Sequence, residues 1–147
     1  MNRVKKQLSL LGVVATLALV FAGVAHAGKK TLTVDVDVDE TSFEATSISV
    51  PFAFNVVGTF EGGGTFRCWG WIDEDGIGSV SQVYNIPGRG AIMTQGIEGG
   101  FLAVTGGTGR FRNVRGEGEQ VFTGTGFDFV ITFRLLGAGT RDHAGAG

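Results

Sequence analysis

Phe101 to Gly118, F-L-A-V-T-G-G-T-G-R-F-R-N-V-R-G-E-G, is the stretch on which the fold turns. It opens as an apolar run, breaks at Gly106-Gly107-Thr108-Gly109, and resumes at Phe111. Three glycines in four residues interrupt a strand. Glycine tolerates positive φ, so the chain turns sharply here, with positive φ expected at Gly107. The flanks are β-like, with Val104 and Thr105 before the break and Phe111 and Val114 after it. The stretch predicts a hairpin or corner of an all-β protein, with Gly106, Gly107 and Gly109 as its structural turn.

The same pattern runs outward in both directions. Phe127, Phe129, Ile131, Phe133 and Leu135 alternate with Asp128, Thr132 and Arg134. Strict period two is the signature of a strand with one buried and one wet face. Leu32, Val34, Val36 and Val38 alternate in the same way with Thr33, Asp35 and Asp37. Asp39-Glu40-Thr41 is expected to turn the chain, and 42–50 reads as a weaker strand. Phe52 to Phe60, Thr65 to Ile72, Gly78 to Ile86 and Gly90 to Ile97 complete the set. Their connections are Gly62-Gly63-Gly64, Asp73-Glu74-Asp75-Gly76, Pro87-Gly88 and Glu98-Gly99-Gly100. Asp-Gly suits a hairpin turn because glycine accepts the φ such turns need. In 65–72, Phe66, Cys68, Gly70 and Ile72 share one face, and Arg67, Trp69 and Trp71 the other. About eight short strands joined by glycine turns, with no helical pattern, form an up-and-down barrel or a sandwich.

The first 27 residues differ from the rest. Arg3, Lys5 and Lys6 precede an uncharged run from Leu10 to Val24, and Ala25-His26-Ala27 follows as a small-residue cleavage site. This is the pattern of a secretory signal peptide. The run falls short of the ~20 residues that span a bilayer, so cleavage is expected, with no membrane span afterwards and a secreted or periplasmic location. Cleavage removes three of the 12 basic residues and leaves nine against 14 acidic ones. That balance argues against nucleic acid as a partner. The expected organisation is a signal peptide (1–27), one barrel domain (28–136) and a disordered Gly/Ala-rich tail (137–147).

Elimination narrows the chemistry. After cleavage the remaining histidine is His143, in the tail. A Ser-His-Asp or Cys-His arrangement is therefore not available in the barrel, nor is a His/Cys zinc site. Gly106-Gly107-Thr108-Gly109 lacks the Lys-Ser/Thr of a phosphate loop. Asp35, Asp37 and Asp39 stand roughly 6.5–7 Å apart along a strand, too far to share one calcium ion closely, and read as a solvated face. No metal or cofactor is expected. Cys68, the one cysteine, has no disulfide partner in the chain and reads as a buried small hydrophobe.

F-L-A-V-T-G-G-T-G-R-F (101–111) resembles a segment of plant allene oxide cyclases, and G-G-T-G-R-F-R-N-V-R-G (106–116) the matching segment of dirigent proteins. G-T-F-R-C-W-G-W-I, the Asp-Gly turn and S-V-S-Q-V-Y-N-I are similar in order to both families. The likeness runs from about Phe52 to Leu136, and the chain is identified as a secreted, bacterial-type relative. The resemblance implies an eight-stranded antiparallel up-and-down barrel, a small apolar ligand in the lumen and a homotrimer. It places Arg115 at the dirigent pocket arginine, on a face with Asn113, Glu117 and Glu119. It sets Cys68 near a cyclase cysteine, Asp35 or Asp37 near a dirigent aspartate, and Thr132 near a last-strand threonine. Arg115 has a second reading, a salt bridge at the barrel end. The chain departs from both families: Arg115 stands where the cyclases carry tyrosine, and Arg110 where dirigents often carry an acid. Three functions follow: a cyclase- or isomerase-like enzyme that steers a reactive substrate, a binding barrel without chemistry, and a structural envelope protein. A lumen without a cavity favours the last.

Overall fold

The computed structural model describes residues 29–124 and 126–137. The expected signal peptide and residues 138–147 of the expected tail lie outside them. The strands are β1 (Lys30–Ala45), β2 (Phe52–Phe60), β3 (Gly64–Ile72), β4 (Gly78–Ile86), β5 (Gly90–Ile97), β6 (Phe101–Gly107), β7 (Arg115–Phe122) and β8 (Phe129–Leu136). Each pairs antiparallel with the next, and β8 pairs back onto β1 from Lys30 opposite Leu135 to Val36 opposite Phe129. The result is a closed eight-stranded barrel: of the barrel and the sandwich that the period-two runs allow, it is the one the family resemblance implies. Closure leaves no free sheet edge, which is how such a protein avoids edge-to-edge association.

The alternation holds through the wall. Val34, Val36, Phe54, Val56, Phe66, Tyr84, Leu102, Phe129, Ile131 and Phe133 point inward and form one cluster. Tyr84 packs edge-on to Phe133, with ring centres 5.1 Å apart, and Phe66 edge-on to Phe129 at 5.1 Å. On β7 the buried positions are Gly118 and Gln120. A side chain at Gly118 would run into Ile131 and Phe133, so glycine on this strand makes room for the rings of the next.

Three details differ from the sequence reading. Asp39–Thr41 is not a turn between two strands. β1 continues to Ala45, and its pairing shifts from Asp39 opposite Val57 to Glu44 opposite Asn55. The extra residues form a bulge, which bends the strand and re-aims its side chains. The second difference is Gly107, which is not the positive-φ centre of a hairpin. It ends β6, and a Cβ there would lie 2.6 Å from the Ala91 and Phe111 carbonyl oxygens. Gly107 is needed for close approach, whereas the left-handed residue is Gly109, at φ 58°.

The third difference is the segment after that turn. Phe111 does not begin a strand. Gly109–Phe111 is one turn of 3₁₀ helix. Phe111 N–H donates to the Thr108 carbonyl and Val114 N–H to that of Phe111. Phe111 and Val114 are buried, at 2% and 0% exposure, so the segment tucks into the barrel end as a plug. Arg89 lies over the Phe111 ring, 5.2 Å from its centre.

Candidate functional site

The other end of the barrel stays open. Its connections are 46–51, 73–77, 98–100 and 123–128, together with the bulge of β1. They surround an apolar cavity of about 160 Å³. Its walls are Val38, Phe52, Phe54, Val56, Phe66, Ile72 and Phe129 from the strands, with Phe43 and Phe127 at the mouth. Phe43 is on the bulge, and the bulge carries its ring over the mouth. It stacks on Phe54 (5.7 Å between ring centres) and on Phe127 (5.8 Å). Phe43 and Phe127 are only half-buried, so the cavity is roofed by two rings that both meet solvent.

Two side chains break the apolar lining: Cys68 and Glu98. Glu98 follows β5, where Ile92, Thr94 and Gly96 face inward. The next position of that period is Glu98. Its N–H donates to the Gly78 carbonyl at 2.9 Å, and Gly99 N–H donates to Gln120 Oε1 at 3.3 Å. A side chain at Gly78 would come within 3.1 Å of a Glu98 carboxyl oxygen, so the glycine leaves the space the carboxyl occupies. No described side chain hydrogen-bonds that carboxyl. Burial raises its pKa above the ordinary carboxylate range, because the charged form loses water without gaining a partner. The Cys68 thiol is pushed up to about 12, first by burial and then by nearby Glu98, with Gln82 pulling the other way. A thiol so raised stays protonated at neutral pH and is a poor nucleophile.

Beneath the cavity the lumen holds a small polar network. Tyr84 Oη donates to Gln82 Oε1 at 2.6 Å, and Thr94 Oγ1 donates to the same oxygen at 3.2 Å. Gln82 Nε2 donates to Gln120 Oε1 at 3.4 Å. Gln120 thus ties the network to Gly99 and the Glu98 turn. Every fully buried polar side-chain atom among the described residues has a partner. The polar groups of the interior are therefore spent on one another, and Glu98 is left facing the cavity.

Arg115, Asn113, Glu117, Asp35 and Thr132 lie elsewhere. Arg115 is on the outer face of β7, and its Nη1 donates to the Val114 carbonyl at 2.7 Å. Asn113 is an exposed residue at φ 64° before that strand. Glu117 pairs with Arg134 across the outer wall at 3.2 Å, and Glu119 does so at 3.0 Å. Asp35 is exposed, and Thr132 lies 3.4 Å from Thr33 Oγ1 on the outside. Of the residues singled out in the sequence, Cys68 alone reaches the cavity. Trp69 and Trp71 face out, at 45% and 47% exposure.

Charge divides the molecule. The open end carries Asp39, Glu40 and Glu44 on β1, Asp73, Glu74 and Asp75 between β3 and β4, Glu98, and Asp128, with no lysine or arginine among them. Among the described residues the plugged end carries Lys29, Lys30, Arg89, Arg110, Arg112 and Arg115 against one carboxylate, Glu61. Among the described residues no group of three His, Cys, Asp or Glu gathers as a metal site, and no helix is long and apolar enough to cross a membrane.

No family model matches the sequence, and no curated protein matches it. Among solved structures the barrel is similar to one described as pyocyanin demethylase, at 18% identity and a TM-score of 0.60. The match covers 73% of this chain and 100% of that one. At that identity the likeness concerns the barrel.

Proposed function

We propose that this protein holds a small apolar molecule at the open end of its barrel, in a pocket of allene oxide cyclase or dirigent type. The observation that carries the reading is the aromatic-walled cavity of about 160 Å³ at the open end, roofed by the half-exposed rings of Phe43 and Phe127. A dry apolar cavity of about 150 Å³ accepts a benzene-sized molecule. The site therefore seats one ring of a ligand, and any remainder projects through the mouth. A reactive ligand held this way is restricted to few conformations, which steers cyclisation or isomerisation by orientation alone. Glu98 is the acid within the cavity; burial raises its pKa, and in its protonated form the carboxyl can donate a hydrogen bond or a proton. The structural neighbour, named for demethylation of pyocyanin, is in keeping with a ligand-handling barrel. On this reading the mature chain works outside the cytoplasm after loss of residues 1–27. The resemblance implies a homotrimer, which analytical ultracentrifugation of the mature chain tests.

The cavity is tested by filling it. Ile72→Trp places an indole in the space a ligand would use. Toluene binding, followed by ligand-observed NMR, is expected for the wild-type chain and lost in the variant. Equal binding by both proteins contradicts the site, and no binding by either contradicts the function. Product formation from a cyclisable substrate separates the enzyme from the carrier.

A further inference from the structure

We propose that the open end selects hydrophobic cations: an aromatic or alkyl group bearing a quaternary or protonated amine, taken in preference to its neutral isostere and against an anion. The inference rests on the ligand site proposed above and adds the charge of the ligand. Two independent features of that site support it.

The first is the lining. Phe43, Phe52, Phe54, Phe66, Phe127 and Phe129 present aromatic surface to the cavity. An aromatic face carries negative quadrupole potential, and a desolvated cation is attracted to it. The one ionisable oxygen group in the lining is the Glu98 carboxyl. No described cation neutralises it, and the ion pairs among the described residues lie on the far side of the wall, at Arg134. A cation seated in the cavity becomes the missing counter-charge of Glu98.

The second is the approach. Besides Glu98, seven carboxylates lie on the open end, and no described arginine or lysine offsets them. Clefts rimmed by one sign of charge concentrate ligands of the opposite sign and repel those of the same sign. Asp39 and Asp73 are held in place by backbone N–H groups at 2.8–3.0 Å. Glu74 and Asp75 make no side-chain hydrogen bond to a described residue and stand free beside the mouth. An anionic ligand such as a fatty acid meets this rim unfavourably, and no described basic group waits inside to receive it.

The test uses three probes of nearly one shape: phenyltrimethylammonium, tert-butylbenzene and benzenesulfonate. Calorimetry or ligand-observed NMR on the mature chain gives their affinities. The cation is expected to bind about tenfold or more tighter than the neutral isostere, and the sulfonate weakest of all. Raising NaCl to about 0.5 M should shrink the cation-to-neutral ratio, because exposed charges are screened at that ionic strength. Glu98→Gln should shrink it further, and Glu74→Lys should shrink it at low salt alone. A neutral probe that binds as tightly as the cation overturns the charge selectivity and leaves the ligand site standing. Tighter binding of the sulfonate overturns it outright. Failure of all three probes overturns the ligand site itself.

Discussion

The two ends of this barrel are built from similar residues to opposite effect. At one end Phe111 and Val114 turn inward and are fully packed; at the other Phe43 and Phe127 bridge the mouth and remain half-exposed. The plugged end is basic and the open end acidic. A phenylalanine buried on all sides contributes about 1.5–3 kcal/mol, whereas one left half in water contributes much less. The contrast separates labour: one end closes the core, and the other leaves apolar surface in contact with solvent.

The largest expected effect breaks that contrast directly. Phe111→Ala removes the plug and should cost about 3–5 kcal/mol in denaturant unfolding. Phe127→Ala, at the mouth, should cost under about 1 kcal/mol while weakening toluene binding. Equal losses from the two variants would erase the distinction. Next in size is Gly107→Val. The added carbons would press on the Ala91 and Phe111 carbonyls, so stability should fall by about 1–3 kcal/mol as the plug is displaced. A variant as stable as wild type would mean that the plug has slack.

How much of this was legible in the sequence follows from the same residues. The eight strands and most turns follow from period-two runs and Gly or Asp-Gly breaks, because a barrel wall has one dry and one wet face along its whole length. The plug was hidden because Phe111 and Val114 continue an apolar stretch that resembles a strand. Their spacing of three is that of a tight helical turn, which was the available signal. The bulge was hidden because 39–43 loses its period and reads as a turn. Arg115 stands at the pocket arginine of the dirigent pattern by resemblance alone. Which face of β7 looks inward is decided by Gly118 and Gln120, beside the rings of β8. Glu98 looked like part of a Glu-Gly-Gly turn. Extending the β5 alternation of Ile92, Thr94 and Gly96 by one step puts it inside.

A smaller effect sharpens the account of the open end. Glu98 is raised in the folded chain by burial, so the folded state holds its proton more tightly than the unfolded state does. Its contribution to stability is therefore full below the ordinary glutamate pKa and is lost as pH rises through the raised value. Cys68 is the titratable group facing it across the cavity, and it stays neutral in that range. Urea midpoints measured from pH 4 to pH 8 should decline more in wild type than in Glu98→Gln. Parallel curves would mean that Glu98 is solvated. The smallest effect is expected for Arg115→Leu. With the side chain on the outer wall, stability should change by under about 0.5 kcal/mol and toluene affinity not at all. A clear loss of affinity would return Arg115 to the site.

The most direct test of the central claim is an amide chemical-shift map of the mature chain titrated with toluene. Shifts concentrated at Phe54, Cys68, Gly78, Glu98 and Phe129, with the plug around Phe111 unmoved, are the predicted result. Shifts confined to the outer wall around Trp69 and Trp71, or none at saturating toluene, would contradict it.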